Sequence, residues 1–423
     1  MFGLAPFVTR GLAKTLGRLI PTAPGDEAAV LDSLAESLGD GRLDSPHAAG
    51  GAHAVDAHDG EVLGALAAGL RRTGAVILVG ERLAGMPGAL SAAVRLAAAT
   101  GAHLAWVPRR AGERGALESG ALPTLLPGGR PVADPAARVD MATAWGVSTL
   151  PAGTGRDTGA ILAAAAAGDL GALVVGGVDP ADLPDPALAH AALEHAFVVS
   201  LELRASAVTE RADVVLPVAP AVEKSGTFLD WEGRERPFEQ VLGTSNAMAD
   251  LRVLDSLGTE MGVTLGTRDT ASARREIAEL GLWEGSRVPA PEYSRDQRGR
   301  PGSGQAVLAS WHELLDAGRM QDGEPYLAAT AKRAVARLSA ATAAEVGVAD
   351  GAPLRVRTVR GTITLPLAVT PMPDRVVWVP ANSAGSAVRR ALGVDAGAVV
   401  SVLAAPIPPP APAATVGPAG VTT

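Results

Sequence analysis

One run of this sequence concentrates the residue types that chemistry needs. Residues 216–240 read LPVAPAVEKSGTFLDWEGRERPFEQ, inside a chain otherwise written mostly in Ala, Val, Leu and Gly. Glu223, Lys224, Glu232 and Arg234 are costly to bury alone, so they must pair with one another or with a polar ligand. Gly226 and Gly233 allow backbone conformations and close approaches that a Cβ would block, and Thr227 adds a hydroxyl between them. Glu223 and Lys224, adjacent in sequence, suit either a general acid/base pair or a surface ion pair. From the residues alone, a ligand loop and a structural loop closing one domain on another stand level.

Two other constellations are weaker. Gly153, Gly155 and Gly159 precede a helix, then a strand, then Asp179, which imitates a dinucleotide fingerprint. The strand before them would be only VSTL, stopped by Pro151, and the glycine spacing is one residue too long, so a simple loop leading into a helix is the better reading. His53 and His58, with Asp56 and Asp59, suggest a metal, and His190 and His195 share a helix. Five residues apart, that last pair does not align on one helix face, and all four histidines read as solvated-loop or ordinary helix positions. No nucleophile elbow and no phosphate-cradling Walker loop occurs.

Elements must position these residues. The charged run follows residues 213–218, a strand read as buried and ended by Pro217. In an open α/β sheet, ligands lie beyond the carboxyl ends of strands. That strand closes a series. AVILVG from Ala75 is wholly apolar, as in a strand buried on both faces. GALSAAVRLAAATG is a helix with a glycine stop, and AHLAWVP the next strand. A long loop follows to residue 150. Then come a helix (DTGAILAAAAAGDLG), a strand (ALVVGG), a helix (PALAHAALEHA), a strand (FVVSLEL), a short helix (SAVTERA) and the strand DVVLPV. This alternation predicts a parallel sheet with helices on both faces. Earlier, APGDEAAVLDSLAESLGD predicts an amphipathic helix with Asp26 as N-cap. Later, residues 250–282 read as helical, residues 288–305 as a linker, and AVLASWHELLDAG as a further helix. From Ala331 the pattern turns to β: APLRVRTVRGTITLPLAV alternates around a turn at Arg360-Gly361, and DRVVWVP and GAVVSVLAAP add strands.

The chain has 423 residues, 47% hydrophobic and 19% charged, enough for two or three folded domains. Its net charge of −8 argues against a broad nucleic-acid surface. It has no cysteine, which removes disulfides, thiolate metal sites and cysteine-ligated iron–sulfur clusters from this chain. The N-terminal apolar stretch, interleaved with basic residues, is too interrupted for a membrane span and reads as a short helix or as the scar of a larger chain cut upstream, in a protein expected to be cytoplasmic.

ADVVLPVAPAVEKSGTFLDWEGRERP resembles the signature of the molybdopterin oxidoreductase family. Ala212, Asp213, Leu216, Pro217, Glu223, Gly226, Thr227, Glu232, Gly233 and Arg234 match it; Asp230 stands where asparagine is usual, and Arg236 where glutamine is common. Upstream, ALVVGGVDP is similar to the family's strand ending in glycine–x–asparagine–proline, with Gly177 in place and Asp179 as the acidic variant. Downstream, residues 339–385, including Asn382, resemble the family's C-terminal double-psi β-barrel.

The resemblance implies an α/β Rossmann-like fold of the molybdopterin oxidoreductase type followed by that barrel. It suggests an N-terminal helical or irregular region at 1–70, an α/β domain at 71–260, a helical connector and linker at 261–328, the barrel at 329–406 and a disordered Pro/Ala tail at 407–423. Within the family, residues 74–132 are similar to the G subunit of bacterial NADH:quinone oxidoreductase, respiratory complex I, of actinobacterial type. The implied role is the C-terminal scaffold portion of that polypeptide, with no cofactor of its own, peripheral to the inner face of the cell membrane. Its implied partners are other peripheral-arm subunits and a cluster-bearing N-terminal half. The family's molybdenum ligand falls in a region this chain lacks. The implied pterin-site positions are vestigial: Gly177, Asp179, Glu223, Lys224, Gly226, Thr227, Glu232, Gly233, Arg234 and Asn382, with the charged run a retained crossover between sheet and barrel. The alternative is a molybdopterin guanine dinucleotide-binding oxidoreductase component completed by a cysteine-bearing chain.

Overall fold

A computed structural model describes residues 1–39, 57–243, 246–289 and 300–406. It divides into two units, Met1–Arg298 with Gly393–Gly397, and Gly299–Leu392 with Ala398–Thr423.

The first unit opens with β1 (Phe2–Ala5), α1 (Arg10–Lys14) and β2 (Arg18–Pro21), the two strands pairing in parallel. The N-terminal region is therefore more regular than its sequence suggests. α2 (Glu27–Gly39), α3 (Ala57–Leu70), β3 (Val76–Gly80), α4 (Glu81–Ala84), α5 (Ala89–Thr100) and β4 (His103–Val107) follow. α5 stops at Gly101, whose φ of 71° suits glycine. Ala89, Ala92 and Ala93 are fully buried in the same core as Leu31, Leu34, Leu38 and Leu96. With so few aromatics, small side chains let α2 and α5 lie close together.

β3 and β4 form a two-stranded parallel sheet. Val79, with Ile77 and Trp106 beside it, packs on the α2–α5 core, while Val76 and Leu78 are about half exposed. The expectation of a strand buried on both faces is thus half met: one helical layer is present and no second layer covers the other face among the described residues.

Residues 109–150, read as a loop, contain α6 (Glu113–Glu118), the small hairpin β5 (Leu125–Leu126) and β6 (Arg130–Pro131), and α7 (Pro135–Trp145). The ends of α7 are fully specified. Asp134 accepts from the amides of Ala136 and Ala137, Pro135 fills the first turn, and Gly146 (φ 64°) ends the helix.

α8 (Thr158–Ala166), β7 (Ala172–Gly176), α9 (Pro186–His195), β8 (Phe197–Glu202) and β9 (Val214–Pro217) match the expected alternation. The strands form one parallel sheet in the order β7-β8-β9. Two expectations change here. Residues 206–212 form a turn, not a helix, because the Ser206 amide donates to Thr209 Oγ1 (2.7 Å) and the Thr209 amide to Ser206 Oγ (3.3 Å). β9 is an exposed edge strand rather than a buried one, with Val214 and Val215 partly open to solvent. The unit continues with the hairpin β10 (Gly226–Leu229) and β11 (Glu235–Phe238), then α10 (Asp250–Glu260) and α11 (Thr270–Leu280).

The second unit contains β12 (Gln305–Trp311), α12 (Pro325–Ala328), β13 (Ala336–Leu338), α13 (Ala340–Glu345), β14 (Pro353–Arg357), β15 (Thr362–Val369), β16 (Val376–Pro380), the short hairpin β17 (Asn382–Ser383) and β18 (Ser386–Ala387), α14 (Val388–Leu392) and β19 (Val399–Ala404). Six strands close into a barrel in the order β12-β16-β13-β15-β14-β19. The helix expected around residues 306–318 is instead β12, parallel to β16 and antiparallel to β19. AVLASW is a short apolar run whose period does not separate strand from helix, and distant partners decide it. Strand structure of the barrel therefore begins at Gln305. Leu308, Leu338, Leu354, Val356 and Val377 fill its interior with no exposed surface. The fold class is the one expected, α/β followed by a β-barrel. The linker residues 290–299, the tail 407–423, and His53 and Asp56 lie outside the described residues.

Candidate functional site

The charged run emerges from the carboxyl end of β9 as the β10–β11 hairpin. β10 pairs Gly226 with Phe238 and Thr227 with Pro237. A Cβ on Gly226 would come within 2.5 Å of the Phe238 ring, which stacks on Phe228 with centroids 5.2 Å apart. Gly226 is thus fixed by packing inside the hairpin.

Asp230 organises the turn. Its carboxylate accepts from the Glu232 amide (3.0 Å), the Arg234 amide (2.9 Å) and Arg236 Nε (3.1 Å), and Gly233 supplies the left-handed residue at φ 82°. The Arg234 amide bond first, and Arg236 beside it, hold the Asp230 carboxyl below the usual carboxylate range. This explains an acid where the family's signature has asparagine: it adds an ion pair with Arg236 (2.9 Å) to the turn's hydrogen bonds.

The other charges are also engaged. Lys224 pairs with Asp250 at the start of α10, not with its neighbour Glu223, whose carboxylate sits at the end of a short 3-10 turn. Arg234 pairs with Glu232 at 3.1 Å, and Arg274 of α11 with Glu235. Ser225 Oγ and Thr270 Oγ1 share a hydrogen bond of 2.9 Å. Asp269 caps α11 in a capping box with Ser272, whose amide bond holds the Asp269 carboxyl low. A cleft of about 230 Å³ lies between hairpin and helix, lined by Ser225, Gly226, Phe238, Asp269, Thr270 and Arg274. Sequence reasoning does not reach Asp250, Asp269, Thr270 or Arg274. The pattern DTAS at 269–272 is a helix-start signal, but nothing in the spacing ties it to the hairpin.

The remaining predicted positions lie elsewhere. Gly177 (φ 64°) follows β7, with open space where its Cβ would stand, and Asp179 accepts from the Ala181 amide at 3.0 Å to cap a short turn. Both stand across the central strand β8 from the strand that leads into the hairpin. Asn382 belongs to the second unit, where its carbonyl accepts from the Ala317 amide at 2.7 Å. Gly153 and Gly155 lie in a loop with no preceding strand, the Gly155 amide donating to the Pro123 carbonyl at 2.9 Å. That geometry gives no dinucleotide fingerprint. His195 Nδ1 is 2.8 Å from the Ala191 carbonyl, its own helix's backbone. Among the described residues no group of three His, Cys, Asp or Glu is placed to hold a metal ion.

A pterin dinucleotide would need donors free to receive its phosphates. Lys224, Arg234, Arg236 and Arg274 each already face a carboxylate, so the hairpin residues do not fit such phosphates. Thr227 Oγ1 is a buried side-chain oxygen of the hairpin without a hydrogen-bond partner.

The family described as "Molydopterin dinucleotide binding domain" matches residues 308–410, the barrel. The chain is 54% identical over 406 residues to the G subunit of NADH-quinone oxidoreductase from Mycobacterium tuberculosis (strain CDC 1551 / Oshkosh), covering 95% of this chain and 47% of that protein. The chain is thus similar to part of the G subunits, with a molybdopterin dinucleotide-binding domain at residues 308–410. The corresponding G subunit of Streptomyces coelicolor is 53% identical over 408 residues, again 95% of this chain and 46% of the relative. The chain thus spans about half the length of the curated relatives it matches. Among solved structures, acetylene hydratase from Pelobacter acetylenicus shares the fold, with a TM-score of 0.58 at 14% identity, covering 96% of this chain and 74% of the other.

Proposed function

We propose that the chain is a scaffold portion of an NADH-quinone oxidoreductase, equivalent to the C-terminal part of its G subunit. It supports electron transfer from NADH to quinone through clusters on neighbouring domains or chains, and is not catalytic alone. The observation that carries the scaffold reading is the closed set of ion pairs in the β10–β11 hairpin. Arg234 and Arg236 are matched to Glu232 and Asp230 of the hairpin, Lys224 before it to Asp250 of α10, and Glu235 of β11 to Arg274 of α11, which ties the crossover to the helices rather than opening it to a ligand. The identity to G subunits over 95% of the chain supports the complex I setting. With no cysteine among these 423 residues, none of them ligates a cysteine-held cluster. On this reading Gly177, Asp179, Glu223, Lys224, Gly226, Thr227, Glu232, Gly233, Arg234 and Asn382 are vestigial pterin-site positions. The partners are peripheral-arm subunits at the inner face of the membrane; among the described residues no helix is long and apolar enough to cross it.

A second reading, a dinucleotide-binding component completed by a cysteine-bearing chain, is favoured by the family match over the barrel. Metal analysis and pterin fluorescence on purified protein separate the two. The scaffold reading expects no stoichiometric molybdenum or tungsten, no visible absorption and no paramagnetic signal after dithionite. Near one metal and one pterin per chain would replace it with the second reading. Recovery of the tagged chain from native membranes without NADH-oxidising subunits would remove the complex I setting.

A further inference from the structure

Two sheets of the first unit each have one packed face and one bare apolar face. On β3–β4, Val79 points with Ile77 and Trp106 into the α2–α5 core. Val76 and Leu78 point the other way, 51% and 52% exposed. On β7–β8–β9, Val198 lies in a core with Leu193 of α9, with Val175 of β7 beside it. The opposite face is sealed only toward its carboxyl end, where Leu201 meets Val253 of α10 and Val218. At its other end Val174 is 60% and Phe197 49% exposed, and Val214, in register with them through Val199, is also open.

These strands are written for burial on both sides. A parallel strand with one wet face would carry polar residues at alternate positions; apart from His103, which pairs with Val76, these carry chiefly Val, Leu, Ala and Phe, the pattern of sheets covered twice by helices. α2, α5, α8 and α9 already serve the packed faces. A second copy of this chain would therefore bring another bare sheet rather than a helical layer. Relatives that match 95% of this chain are about twice its length, leaving roughly half of each outside the match.

We infer that the bare faces of β3–β4 and β7–β8–β9 are a docking surface for the portion of the relatives' polypeptide that this chain does not span. That portion lays the apolar stripes of helices over Val76, Leu78, Val174, Phe197 and Val214 and completes the second layer. The inference rests on the functional reading above and assigns it a surface.

The test mixes the full chain with a probe polypeptide, the half of the Mycobacterium tuberculosis relative that this chain does not match. Sedimentation reads complex formation, and hydroxyl-radical footprinting reads side-chain exposure. A one-to-one complex is expected, with labelling of Val76, Leu78, Val174 and Phe197 reduced several-fold. Leu78→Asp and Val174→Asp are expected to weaken the complex at least tenfold, while Leu314→Asp, at a site 96% exposed in the second unit, changes nothing. Footprinting of the unmodified chain keeps the test valid if a variant fails to fold. Absence of a complex, a complex that leaves these four side chains labelled as before, or their protection by self-association without the probe overturns the inference. If native membranes yield the chain with NADH-oxidising subunits while footprinting shows no protection, the docking surface falls and the functional reading stands.

Discussion

Leu308→Ala tests the strand that begins the barrel. Leu308 has no exposed surface, faces Val377 across the parallel β12–β16 pair, and donates its amide to the Ala398 carbonyl at 2.8 Å. Truncation removes three carbons from a closed interior, forfeiting about 2.4 kcal/mol of transfer free energy. A barrel closed on all sides collapses poorly, so a void on the order of 50 Å³ adds roughly 1 kcal/mol. The expected loss is about 3–4 kcal/mol. Hydrogen exchange followed by mass spectrometry reads each unit separately, which whole-protein melting does not. Amides of β16 and β19 should exchange a few hundredfold faster, at about 1.4 kcal/mol per factor of ten. Leu314→Ala is the control: that side chain is 96% exposed, three residues beyond the strand, and its truncation should cost less than about 0.5 kcal/mol. An acceleration below tenfold in Leu308→Ala, or equal losses in the two variants, would refute the placement of β12 in the barrel wall.

Gly226→Ala drives a methyl into the Phe238 ring and should cost about 1–3 kcal/mol, read as faster exchange across β10–β11 alone; no change would mean that the Phe228–Phe238 stack does not close the hairpin. Ser200→Ala removes a fully buried hydroxyl that has no hydrogen-bond partner, and should raise stability by about 1 kcal/mol in urea unfolding; a loss would reveal a partner for Ser200 Oγ. Asp230, Asp269 and Glu345 are held below their ordinary values, 3.8 for aspartate and 4.5 for glutamate: Asp230 first by the Arg234 amide, Asp269 by the Ser272 amide, Glu345 by the Ser303 side chain. Their stabilisation is therefore full above those values and is lost as pH falls through the lowered ones. Glu27 opposes them: burial raises its pKa, so its contribution is full below 4.5 and is lost as pH rises through the raised value. The urea midpoint should fall as pH drops below the ordinary values of 4.5 and 3.8, and less steeply in Asp230→Asn; equal slopes would show that Asp230 carries none of it.

What the sequence disclosed about the fold followed the strength of local signals. α5 with Gly101, α8 behind Asp157 and α9 behind Asp185-Pro186 have explicit starts or stops, and they form where their caps place them. α7 is hidden in the sequence although Asp134-Pro135 and Gly146 mark both ends, because its Ala-rich face offers little contrast between buried and exposed positions. Residues 206–212 mislead because Ser206 and Thr209 spend their hydroxyls on the backbone. β12 misleads because its partner β16 lies far along the chain. The candidate site shows the same limit. Motif spacing brought Glu223 to Arg234 into one hairpin, but Lys224 chooses Asp250 and Glu235 chooses Arg274, partners that helices α10 and α11 carry in.

The misjudged strand faces differ in kind from these local errors. Strands β3, β7 and β9 present apolar residues on both sides, and the structure covers one side more closely than the other. Local propensity explains neither the exposed Val76 and Leu78 nor the exposed Val174, because a solvated face gains nothing from β-branched or leucine side chains at alternate positions. Burial in a larger assembly explains all of them at once. It is consistent with a chain that matches about half of each curated relative while keeping 53–54% identity across that half. On the docking surface inferred above, the apolar pattern describes the strands as they stand in the assembled protein, and the exposed half of the pattern is the part that the docked polypeptide covers.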